Sequence, residues 1–145
     1  MVLLQESKIK RTLIVRLVPG EDILESLESL TLEQEIEGAQ ISFIGAIAGA
    51  TLGYFDLNSR TYKSFSLMED LEVTSGIGNI SRLEDGTPIV HAHIVVADES
   101  GKSFSGHLMK GCIVSVTIEI LINVLEQRLL RTKDTRSGLN LLNLR

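Results

Sequence analysis

The sequence has no tryptophan, one cysteine, two prolines and an aromatic content of 4%. Each scarcity excludes something. A single Cys112 rules out an intrachain disulfide, and its place between Gly111 and Ile113 in an apolar run reads as a buried, inert thiol. So few aromatic rings leave the core to Leu, Ile and Val. No apolar run is long enough to span a bilayer: the best, Cys112–Leu125, is interrupted by Ser115, Thr117, Glu119 and Asn123. Met1–Gln5 lacks the charged start and apolar stretch of a signal peptide, so a cytoplasmic protein with no membrane partner is expected. A basic excess is missing too. The net charge is −5, which argues against a chain that grips phosphate by itself. Basic residues gather only at the ends, as Lys8, Lys10 and Arg11 and then Arg128, Arg131, Lys133 and Arg136, and these read as solvated surface.

What remains is an ordinary globular composition, 43% apolar and 23% charged over 145 residues, enough for one domain with its own core. No linker or low-complexity stretch divides residues 1–145. Residues 11–18 are β-branched and apolar and stop at Pro19-Gly20, which predicts a strand closed by a turn. The period then changes. Ile23, Leu24, Leu27, Leu30 and Ile36 form a helical stripe, with Glu21, Asp22 and Glu25 suited to the positive end of the helix dipole and Gly38 as its stop. Thr31 and Gln34 offer an alternative, the capping box of a second short helix. The acids between Glu21 and Glu37 read as a solvated face.

From Ala39 the helical pattern gives way to strands over 40–48, 51–56, 61–67 and 71–80, the last broken by Gly76 and Gly78. Gly45, Gly49 and Gly53 mark bulges or close backbone approach; their spacing does not fit a dinucleotide-binding fingerprint. Asp85-Gly86 signals a hairpin. Residues 112–122 form a long β-branched run, and the tail from Val124 is either strand or helix. The fold class expected is α+β: a mostly antiparallel β-sheet with one main helix after the first strand.

All three histidines fall within residues 87–109, which read as two strands joined by the polar turn Asp98–Lys102. His91 and His93 are two apart, so on a strand they leave the same face. Register decides His107. Opposite His91 or His93, it joins them; slipped by one residue, it faces away. Three convergent imidazoles would suit a zinc ion that keeps its fourth position open. The alternative is three polar side chains satisfied by their neighbours or lying at a subunit boundary.

Three blocks carry a family resemblance: residues 13–27 (Leu-Ile-Val-Arg-Leu-Val-Pro-Gly-Glu-Asp-Ile-Leu-Glu-Ser-Leu), 43–56 (Phe-Ile-Gly-Ala-Ile-Ala-Gly-Ala-Thr-Leu-Gly-Tyr-Phe-Asp), and 78–93 together with Ser-Gly-His-Leu at 105–108. Over roughly residues 10–125, with 126–145 as a tail, the chain resembles the plant-and-prokaryote-conserved (PPC) domain. The resemblance implies a compact fold that assembles as a homotrimer and serves association among DNA-associated proteins, with DNA itself as a weak partner. In plants the domain follows AT-hooks, whose Arg-Gly-Arg-Pro is absent from these residues. The fold is also similar to that of acetolactate decarboxylase, a zinc enzyme. This similarity implies His91, His93 and His107 as metal ligands and zinc as the cofactor. A catalytic role would need an acid or base within reach of the metal. Glu84, Asp85 and above all Glu119, set in an apolar run, are the carboxylates to consider, with Arg82 to orient an anion. The two functions expected are therefore a homotrimeric interaction module, or a small zinc-dependent lyase or hydrolase acting on a carbonyl or carboxylate compound.

Overall fold

The computed structural model describes residues 1–144. Its elements in chain order are β1 (Ile9–Leu17), α1 (Ile23–Glu33), β2 (Ala39–Ile47), β3 (Ala50–Asp56), β4 (Thr61–Leu67), β5 (Leu71–Arg82), β6 (Pro88–Ala97), β7 (Ser103–Leu108), β8 (Val114–Leu125), β9 (Arg131–Lys133) and β10 (Asn140–Leu142). The first eight strands form one sheet in the order β1-β8-β2-β5-β6-β7-β3-β4, and every pair within it is antiparallel. This is the expected α+β architecture. The tail resolves into strand: β8 runs to Leu125, and β9 and β10 make a small separate ribbon.

One face of the sheet is the core. Strand alternation sends Val90, Ala92, Ile94 and Val96 of β6 inward, with Ile41, Phe43, Ile118, Ile120 and Ile122 from β2 and β8. Helix α1 adds Ile23 and Leu27 to the same core. Cys112 is buried there as expected, and burial pushes its thiol up to about 11, far from thiolate reactivity.

Local chemistry sets the boundaries. Asp22 caps α1, its Oδ1 accepting from the amides of Leu24 and Glu25, while Oδ2 accepts from Gly111 and ties the helix to the β7–β8 connection. The helix ends at Glu33, earlier than Gly38, because Glu35 takes the left-handed turn at φ +51° and Ile36 donates back to Thr31. Thr31 caps no second helix. Its hydroxyl donates to Leu27 within α1. Gly38 permits close approach instead: a Cβ there would lie 2.7 Å from the Gln127 carbonyl. Gly45 sits at the expected bulge, at φ +150° between the register shifts of β2. Gly76 and Gly78 do not break β5. They make room for the Phe43 ring and the His91 carbonyl, and the irregularity lies between Val73 and Ser75.

Candidate metal centre

The β6–β7 register pairs His93 directly with His107, and His91 precedes His93 by two residues on the face opposite Val90, Ala92 and Ile94. Asp98 holds the turn between the strands, its Oδ1 accepting from Ser100 and Lys102 amides. The imidazoles therefore gather on the outer face of the sheet. One ring nitrogen from each lies within 4.8 Å of the others. Ring centroids are 5.2, 5.3 and 5.5 Å apart.

The donor set fits a metal. Nε2 of His91 and Nε2 of His93 are 3.3 Å apart. Zinc–nitrogen bonds of about 2.0–2.1 Å at tetrahedral angles put two ligand nitrogens about 3.3 Å apart. Nδ1 of His107 is buried with no hydrogen-bond partner, a cost that a ligand would relieve. Burial holds His107 down to about 4, helped by the positive neighbours His91, His93 and Arg131. Burial likewise lowers His91, followed by the charges of Arg131 and His93. Neutral imidazole is the form that binds metal.

Two residues that the sequence did not single out border the cluster. Tyr62 of β4 stacks on His107 at 4.7 Å, in the space that Gly53 leaves open beside it. Burial raises its phenol. Arg131 of β9 is 6% exposed, not solvated as its place in a basic tail suggested. Its Nε donates to Ser81, Nη1 to the Asn140 carbonyl and Nη2 to Asn79 Oδ1, and Nη2 stands 3.4 Å from His91 Nδ1. A signal for this ribbon existed in the turn Asp134–Gly138, where Asp134 accepts from Ser137 and Gly138 takes φ +78°.

The other candidates lie apart. Glu119 is exposed on β8, in register with Arg16 and Ile44 and three strands from β6, about 14 Å at normal strand spacing. Arg82 is buried, but its guanidinium donates to the carbonyls of Thr31, Ile36 and Gly86, so it fastens the end of α1 to β5. Glu84 and Asp85 are exposed in the β5–β6 turn.

Comparison with known proteins follows the same lines. Among solved structures, a plant- and prokaryote-conserved protein from Pyrococcus horikoshii superposes with a TM-score of 0.89 at 32% identity, covering 98% of this chain and 97% of that one. A metal-containing protein from Archaeoglobus fulgidus gives 0.86 at 30% identity over 99% of both chains. A Bacteroides thetaiotaomicron protein provisionally described as DNA-binding gives 0.88 at 27% identity over 96% of both. A Staphylococcus aureus protein similar to alpha-acetolactate decarboxylase shares the fold alone, with a TM-score of 0.52 at 15% identity over 78% of this chain and 52% of the other. Two Synechococcus proteins named Bifunctional protein GlmU are 34% identical over 126 residues. That is 86% of this chain but 19% and 18% of theirs, so the chain spans about a fifth of the length of the curated relatives it matches. The profile of the Plants and Prokaryotes Conserved (PCC) domain matches residues 4–126, the whole eight-stranded sheet with its helix and three histidines, and the chain belongs to that family.

Proposed function

We propose that the chain is a self-associating, metal-bearing interaction module, a homotrimer in the cytoplasm that joins DNA-associated proteins rather than gripping DNA. One observation carries this reading: the outer face of the sheet is apolar and exposed, and the histidine cluster sits beside it. Ile14, Ile44, Ile77 and Leu121 stand on that face around a groove of about 450 Å³, and Ile77 pairs directly with His93. Exposed apolar surface of this kind marks association. The net charge of −5 favours contact with DNA through other proteins.

His91, His93 and His107 would hold the ion. Zinc there would supply a Lewis acid with one open position. Around it, this chain's own groups orient and desolvate: Tyr62 packs on His107, and Arg131 and Asn79 fix the surroundings of His91. That open position also favours a second reading, a zinc-dependent lyase or hydrolase acting on a carbonyl or carboxylate metabolite.

Metal analysis of protein purified without a nickel column tests the centre. About one zinc per chain is expected, lost in His93→Ala while the circular dichroism spectrum is kept. Wild-type protein that retains no zinc after dialysis against the ion near neutral pH rejects it. Metal-dependent turnover within a panel of small carboxylic acids would select the enzyme over the module.

A further inference from the structure

The charges around the histidines determine what a bound ion would need, and this inference rests on the metal centre proposed above. Three neutral imidazoles bring no negative charge, so a divalent ion among them keeps its full charge. Arg131 adds another positive charge close by, almost fully buried and 3.4 Å from His91 Nδ1. Among the described residues, the charge that bears on His91 and on His107, besides the imidazoles themselves, is Arg131, and no carboxylate does.

Zinc sites normally back their histidines with acceptors, which take the second N–H of each ring. Here the arrangement is reversed. His91 Nδ1 faces a guanidinium donor, and the neighbouring acceptor, Asn79 Oδ1, is held by that same guanidinium at 2.8 Å. Other carboxylates are engaged or remote: Asp56 pairs with Lys63, Glu37 with Arg128, and Glu119 lies three strands away. A half-buried site with this much positive charge is costly unless an anion joins it.

We propose that the centre is completed by an exogenous small carboxylate, bound together with the metal on the side left open beside His93 and Tyr62. A phosphate fits less well, because it needs donors around three oxygens. This border offers the stacked Tyr62 ring and the Ile77 side chain.

The test is a Co2+ titration of the metal-free full chain, followed by visible absorption, in a non-coordinating buffer at fixed near-neutral pH. It is run alone, with pyruvate, and with inorganic phosphate. Pyruvate is expected to tighten Co2+ binding about tenfold or more, within the usual range of coupling between two ligands. Arg131→Gln is expected to lose most of the pyruvate effect on Co2+ affinity. Equal Co2+ affinity with and without pyruvate overturns the carboxylate and leaves the metal centre standing. Phosphate matching pyruvate overturns the selectivity for carboxylates. No Co2+ binding in any buffer overturns both the metal centre and its anion. If Arg131→Gln does not fold, the wild-type comparison of pyruvate with phosphate decides alone.

Discussion

Two buried arginines do different work with the same chemistry. Arg82 holds the carbonyls of Thr31 and Ile36 where α1 ends, and that of Gly86 in the β5–β6 turn. Replacing it with Met strands the Ile36 and Gly86 carbonyls, while Thr31 keeps the Ile36 amide, and each buried unsatisfied group costs about 1–3 kcal/mol. Arg82→Met is therefore expected to lose about 3 kcal/mol or more in urea denaturation while leaving metal content per folded chain unchanged. A loss of metal with unchanged stability would instead place Arg82 at the centre. His107 makes a different prediction. Its folded value of about 4 lies below the ordinary 6.5, so the unfolded chain takes up the proton first as pH falls. Above 6.5 both states are neutral and the residue contributes no pH dependence. Between 6.5 and 4, protonation favours unfolding. Metal-free protein should lose thermal stability across that window, and His107→Asn should flatten the slope there. Equal slopes by calorimetry would show that the His107 ring is not shielded from water.

At the scale of elements, glycines separate strain from space. Gly45 stands at φ +150°, and a Cβ on it would lie 2.0 Å from the Thr117 carbonyl, so neither backbone nor neighbour can accommodate a side chain. Gly101 in the β6–β7 turn has φ +81° and nothing within 4 Å. Gly45→Ala should cost about 2–4 kcal/mol and Gly101→Ala about 1 kcal/mol, compared by urea denaturation. Similar costs would mean that the β2 bulge relaxes. These elements also show what a sequence reveals. The histidine hairpin was legible because a strand has a period of two and its turn is marked by Asp98 and Gly101. Glu119 misled because the outer face of this sheet is also apolar: beside Ile44 and Leu121, an apolar neighbourhood does not mean burial. Arg131 stayed hidden because a three-residue strand has no periodicity to read, and its partners Asn79, Ser81 and His91 are 40 or more residues away. Gly38 suggested a helix stop, but Glu35 made the turn first.

For the whole molecule, the outer face is where the proposed assembly is tested. Ile14 is 84% exposed, Ile77 60%, Ile44 57% and Leu121 48%, and they stand on neighbouring strands β1, β5, β2 and β8. Large aliphatic side chains this exposed on adjacent strands are better explained by a partner than by solvent, and a stable interface of standard size hides about 800 Å² on each side. The proposed homotrimer would cover this face and bring the histidine centres to the subunit boundary, through the pairing of Ile77 with His93. Sedimentation at micromolar concentration is expected to give three times the chain mass of 15.9 kDa. Ile44→Lys combined with Leu121→Lys changes only exposed positions away from the histidines, so the isolated fold should persist while the assembly dissociates. A monomer already in the wild type would remove the association reading. A trimer that survives both lysines would move the interface elsewhere, to the open edge of β4 or to the face of α1. If the double variant becomes monomeric and also loses zinc, the partner subunit helps to hold the ion; if it becomes monomeric and keeps zinc, His91, His93 and His107 of one chain suffice.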